Sequence, residues 1–259
     1  MNLDPEYFSG VAPFGSPDYY ALLFCPAGRR EALRVLLALE YVLAQLSGQT
    51  AETEVRQAKL GWWAAELDRL SSDEPRHPVA SAANSVVVGN ELSAAPVLAL
   101  FAAIVRETSD DLPRTPDALL EHAGERGAMV LLFAGMLVDG RQLTKAEADA
   151  CLQLGRARFL AMELGAGHRH ADVHHSPPES AEMLRQLSAR QCNELRAALE
   201  NIPAQHLTQL TPLMVMAGLV NRLLKAMADG RRTDSISSLS SLIGAWRNAR
   251  RASRGKLPI

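Results

Sequence analysis

The chain has 259 residues, 47% of them hydrophobic, 22% charged and 5% aromatic, with a formal net charge of −2. That length supports one large core, and the near-neutral balance excludes nucleic acid as the main partner. Abundant Ala and Leu with few β-branched runs argue against a sheet protein and for an all-α fold.

Residues 1–17, rich in Gly, Pro and aromatics, predict an irregular arm ahead of one helical domain over residues 18–259. A short helix at 18–24 is followed, after Pro26 and Gly28, by a long helix from Arg29 to Leu46. In it Leu33, Leu36, Leu37, Leu39, Leu43 and Leu46 recur at helical spacing. The next helix, Glu52 to Leu70, carries Leu60, Trp63, Leu67 and Leu70 on one stripe. Its neighbouring Trp62 and Trp63 must diverge around the axis, one towards the core. Pro75 and Pro78 break the pattern, and His77-Pro78-Val79-Ala80 opens another helix. Ala95 to Val105 is short and apolar. Thr115 is an N-cap with Pro116 at the first helical position. The helix that follows runs unbroken from Asp117 through the apolar stretch ending at Val138. Thr144 and Glu147 form a capping box ahead of TKAEADACLQLGRARFLAMELG. An exposed helix is expected over Glu179 to Leu199, a core helix over Thr208 to Ala228, and a basic helix at the C-terminus. The total is eight to ten helices, without an internal repeat.

Cys25, Cys151 and Cys192 lack CxxC spacing and read as packed, reduced thiols of a cytoplasmic protein. No apolar run reaches the ~18–20 residues of a spanning helix. MNLDPEYFSG lacks the order of a secretory signal.

Several stretches carry a family likeness. DYYALLFCPAGRREALRV at residues 18–35, Lys59-Leu60 with Trp63, Glu66 and Leu67, and His77-Pro78-Val79-Ala80 resemble the squalene/phytoene synthase family. Gly155 and Ala157 match a later helix of that family, and Leu119 to Leu132 matches loosely. The likeness covers most of residues 16–259. It implies an isoprenoid-synthase-like helical bundle around a central cavity. It also implies two aspartate-rich motifs that hold Mg²⁺ against a prenyl diphosphate. Laid along this chain, those motifs fall at Ala44, Gln45 and Gly48, and at Ala166 and His170. None of these is acidic. PDYYALLFCP, Glu40 to Leu46 and Ala245-Trp246-Arg247 are similar to a non-catalytic branch of the superfamily, which includes a mitochondrial complex I assembly factor.

The missing acids decide the chemistry. Ionising an allylic diphosphate requires Mg²⁺, and Mg²⁺ requires hard oxygen ligands in near-octahedral geometry. Ala44 and Gly48 offer none, and His170 is a poor ligand for it. Glu40 and Glu163 lie near the lost positions as candidate cavity polar groups, although a carboxylate on a helix is more often a solvated or paired surface group. Leu37, Tyr41, Phe159, Met162 and Met214 are candidate cavity lining. No catalytic residue, metal or cofactor is expected, and the leading reading is a binding or assembly factor with a protein partner. Two alternatives remain open: a prenyl transferase using Glu40, Glu163 or His170 with Mg²⁺, and a carrier of an apolar prenyl-type ligand. His168, His170, His174 and His175 read as a solvated loop. Met214, Met216 and Met227 read as core filling. Trp246, Arg247, Arg250, Arg251 and Arg254 make a basic end that is either solvated or peripheral to a membrane or partner.

Overall fold

In a computed structural model, residues 10–47, 53–72, 74–109, 115–138, 141–164, 177–231 and 238–258 are described. Among them are eleven α-helices and no strand: α1 (Pro17–Leu23), α2 (Ala27–Ala44), α3 (Thr53–Ser72), α4 (Pro78–Gly89), α5 (Ala95–Thr108), α6 (Pro116–Arg126), α7 (Met129–Leu137), α8 (Lys145–Phe159), α9 (Pro177–Glu200), α10 (Thr211–Ala228) and α11 (Ser238–Ala252). A π-helical turn, Leu160–Leu164, continues α8.

Helix starts follow local chemistry. Ser16 Oγ accepts from Tyr19 N at 3.1 Å, and Thr115 Oγ1 from Ala118 N at 3.2 Å, with Pro17 and Pro116 just inside. Each satisfies an N–H that the first helical turn leaves unpaired. Thr144 and Glu147 form the expected capping box.

Glu147 does more than cap. Its side chain is fully buried, and it takes both arms of Arg141, at 2.8 and 2.5 Å. Burial opposes its charge, but Arg141 and Thr144 outweigh that and hold the carboxyl down at about 2, against an ordinary 4.5. A depressed carboxyl stabilises the fold fully above its unfolded value and loses that contribution as pH falls through the folded one. Glu147→Gln is therefore expected to lower stability by about 3 kcal/mol at neutral pH. The gap to the wild type should close between pH 4.5 and about 2. Urea unfolding at a series of pH values measures it.

The α3–α4 connection is a clasp. Glu66 is fully buried, and its Oε1 accepts from the backbone N–H groups of Arg76 and His77, both at 2.6 Å, while Arg69 donates to Oε2. His77 caps α4 through Nδ1, 3.2 Å from Val79 N, and its ring lies 4.8 Å from that of Trp63. Trp63 is buried, whereas Trp62 is 45% exposed.

Three expectations need correction. The helix expected from Asp117 to Val138 is two, α6 and α7, broken at Gly127 and Ala128. There Gly127 and Gly155 of α8 meet backbone to backbone, so closely that a Cβ on either would overlap the other. This break brings the count to eleven among the described residues, above the eight to ten expected. Finally, α9 is amphipathic rather than exposed. Leu187, Ser188, Gln191, Cys192, Leu195 and Leu199 form a buried stripe against α8 and α10.

A main core runs through the bundle, and a smaller cluster of Tyr20, Val215, Leu219 and Ala245 lies between α1, α10 and α11. α10 is buried around most of its circumference and packs against α1, α8, α9 and α11. α2 packs against α4, α5 and α7. All three cysteines are buried and free. Among the described residues, no helix is long and apolar enough to cross a membrane.

Candidate functional site

On α2, Leu33, Leu37, Glu40 and Ala44 recur at four- and three-residue spacing and share one face. The last three of these open onto a cavity of ≈ 200 Å³. Asp18 of α1, Arg126 of α6 and Arg158 and Phe159 of α8 form its other walls, and Gly10, Val11 and Pro13 cover it. Gly10 lies against the Tyr41 hydroxyl, so closely that a Cβ there would stand 2.8 Å from Oη.

Arg158 is the centre of this site. Its Nε and Nη2 donate to Asp18 Oδ1 and Oδ2 at 2.8 and 2.9 Å. Its Nη1 and Nη2 donate to Glu40 Oε1 and Oε2 at 2.6 and 3.0 Å. Both contacts are two-pronged, which suits a planar guanidinium facing carboxylates. All three side chains are at least 89% removed from solvent, given exposures of 11, 2 and 11% for Arg158, Asp18 and Glu40. Burial works against the guanidinium charge, but Asp18 and Glu40 more than offset it and keep Arg158 firmly charged. Burial likewise pushes the Glu40 carboxyl up from its ordinary value, with Arg158 opposing.

A second buried cluster abuts the first. Arg126 pairs with Glu107 at 2.9 Å, and His122 Nε2 lies 2.8 Å from the same oxygen. Burial would raise Glu107, yet His122 and Arg126 bring it below the ordinary carboxylate range. The Arg126 guanidinium stacks over Phe159 at 5.4 Å. Together the two clusters set two guanidinium groups against three carboxylates, Asp18, Glu40 and Glu107.

The site does not fit Mg²⁺. The acids that line it, Asp18 and Glu40, spend their oxygens on Arg158. Ala44 has no donor atom, Gln45 offers one amide oxygen, and Arg126 and Arg158 put two fixed cations in the same wall, which a divalent ion would have to approach. Among the described residues no group of three or more His, Cys, Asp or Glu could hold a metal. Gly48, Ala166, His170 and the other loop histidines, His168, His174 and His175, lie outside the described residues. Glu163 falls in the π-helical turn, with its side chain likewise outside them.

Leu37, Tyr41, Phe159 and Met162 line the cavity with Glu40. Glu40 is not the solvated surface group that carboxylates usually are, because Arg158 compensates its burial. Met214 is a correction: it is buried in the core near the start of α10 and does not reach the cavity. Trp246, Arg247, Arg250, Arg251 and Arg254 are exposed on α11 and the turn after it, away from this site. Asp18, Arg126 and Arg158 were not anticipated. A signal for Arg158 did exist: Cys151, Leu154 and Arg158 stand at three- and four-residue spacing, so the arginine interrupts an inward apolar stripe.

An all-α bundle with a small central cavity between α1, α2, α6 and α8 is an isoprenoid-synthase-like fold. Residues 13–161, from just before α1 through α8, match the squalene/phytoene synthase family, and the chain belongs to that family. No curated protein sequence matches it.

Proposed function

We propose that this protein is a non-catalytic member of the squalene/phytoene synthase family that serves as a binding or assembly factor. The observation that carries the reading is the Arg158 bridge. In place of acids free to gather metal around a diphosphate, the cavity holds a guanidinium already neutralised by Asp18 and Glu40. A diphosphate would meet no net positive charge there, and Mg²⁺ no free carboxylate. The cavity, at ≈ 200 Å³, is also smaller than the ~300–1,000 Å³ usual for small-molecule sites. That weighs against storage of a prenyl chain in this cavity.

The finer assignment, to assembly of respiratory complex I, draws on the likeness of PDYYALLFCP, Glu40 to Leu46 and Ala245-Trp246-Arg247 to the non-catalytic branch. Two measurements test the reading. Purified protein given farnesyl or geranylgeranyl diphosphate with Mg²⁺ is expected to release no diphosphate; turnover that Glu40→Ala abolishes would establish the enzyme instead. Loss of the protein from its own cell is expected to reduce assembled complex I on native gels. An unchanged level would remove complex I as the partner.

A further inference from the structure

Helix α11 sits on α10 through Ser241, Ala245, Asn248 and Ala252, a stripe of small and polar residues. Asn248 presses onto Gly218 of α10, where a Cβ would overlap its amide. This close seating turns the other side of α11 fully outward. Leu239, Leu242, Ile243 and Trp246 are exposed by 68, 42, 50 and 52%. Their spacing of three, one and three residues places them together on one outward face.

The apolar stripe then gives way to charge of one sign. Arg247, Arg250, Arg251, Arg254 and Lys256 are all exposed, and residues 238–258 contain no acid. Among the described residues, none of the five pairs with a carboxylate. Trp246 stands at the border, with the Arg250 guanidinium 5.2 Å over its ring. Phe14, 74% exposed, extends the apolar surface near the start of α11, where Tyr20 Oη donates to Ser238 O at 3.0 Å.

We infer that α11 docks the protein on an anionic lipid bilayer. Four apolar side chains would enter the boundary of the acyl region, and the guanidinium groups would lie among phosphates. A helix with an apolar face, a cationic face and a tryptophan between them is suited to that plane. The charge pattern favours lipid over protein. Five cations of one sign adjoin the apolar stripe with no acid in residues 238–258, which complements the uniform negative charge of an anionic lipid surface. This inference does not depend on the function proposed above.

The test is co-sedimentation of the full chain with vesicles. Binding is expected to phosphatidylcholine mixed with phosphatidylserine and not to phosphatidylcholine alone, and it should weaken as salt rises. Leu242→Ser/Trp246→Ser and Arg250→Glu/Arg254→Glu should each reduce partitioning by about tenfold or more. These positions are exposed, so the melting temperature should be unchanged, which separates lost docking from lost folding. Absence of binding, equal binding to both vesicle types, or anionic binding that ignores both variants would overturn the inference. So would retention by immobilised polyglutamate with no affinity for vesicles, which would assign the face to an acidic protein.

Discussion

Arg158→Leu is expected to destabilise the protein by about 4 kcal/mol, because it leaves two buried carboxylates without their shared partner. Asp18 and Glu40 would then face each other across the cavity, and the chain could relieve this only by taking up protons or opening to water. The loss should be smaller at low pH, where Glu40, whose carboxyl is already pushed up by burial, can be neutral. The triple variant Asp18→Asn/Glu40→Gln/Arg158→Met removes every charge and should recover most of the stability, since a buried ion pair is often no better than an uncharged replacement. Chemical denaturation of the single and triple variants at pH 7 and pH 4 makes the comparison. A single variant as stable as the wild type would show that the bridge contributes nothing to the fold.

Gly127→Ala is the second large effect. At most surface positions this exchange stabilises a helix or does little. Here the added methyl group would run into the backbone of Gly155, which cannot rotate aside as a side chain can. Overpacking of this kind costs about 3 kcal/mol or more, because α8 must move away from the α6–α7 corner. That movement would also displace Arg158, one turn along α8 from Gly155. A lower unfolding midpoint together with weaker protection of the α8 amides from exchange is the expected result. Gly124→Ala is a useful control: its methyl group would meet the flexible side chain of Arg156, which can yield.

The helices were largely legible in the sequence because periodicity and capping are local. Ser16, Thr115 and Thr144 sit within three residues of the groups they satisfy. What was not legible depends on contacts made far along the chain. Gly127 looks like any small residue inside an apolar run until Gly155 is placed against it. The family-like Glu66 and His77 stood out as words, and only the fold joins them: the carboxylate of one holds the backbone of the other. At the candidate site, Glu40 was noticed for its nearness to a lost aspartate. Its actual partner, Arg158, lies 118 positions away and belongs to no motif.

That separation bears on the order in which the molecule forms. The contacts of Arg158 with Asp18 and Glu40 close loops of 140 and 118 residues. Distant contacts of this kind bear the largest closure entropy and tend to be rewarded late. During synthesis both acids leave the ribosome well before α8 exists, so their carboxylates cannot reach their final pairing until α8 is made. The bridge then works as a latch more than as a nucleus. Its removal should speed unfolding and leave the refolding rate nearly unchanged, a division that stopped-flow kinetics on Arg158→Leu would resolve.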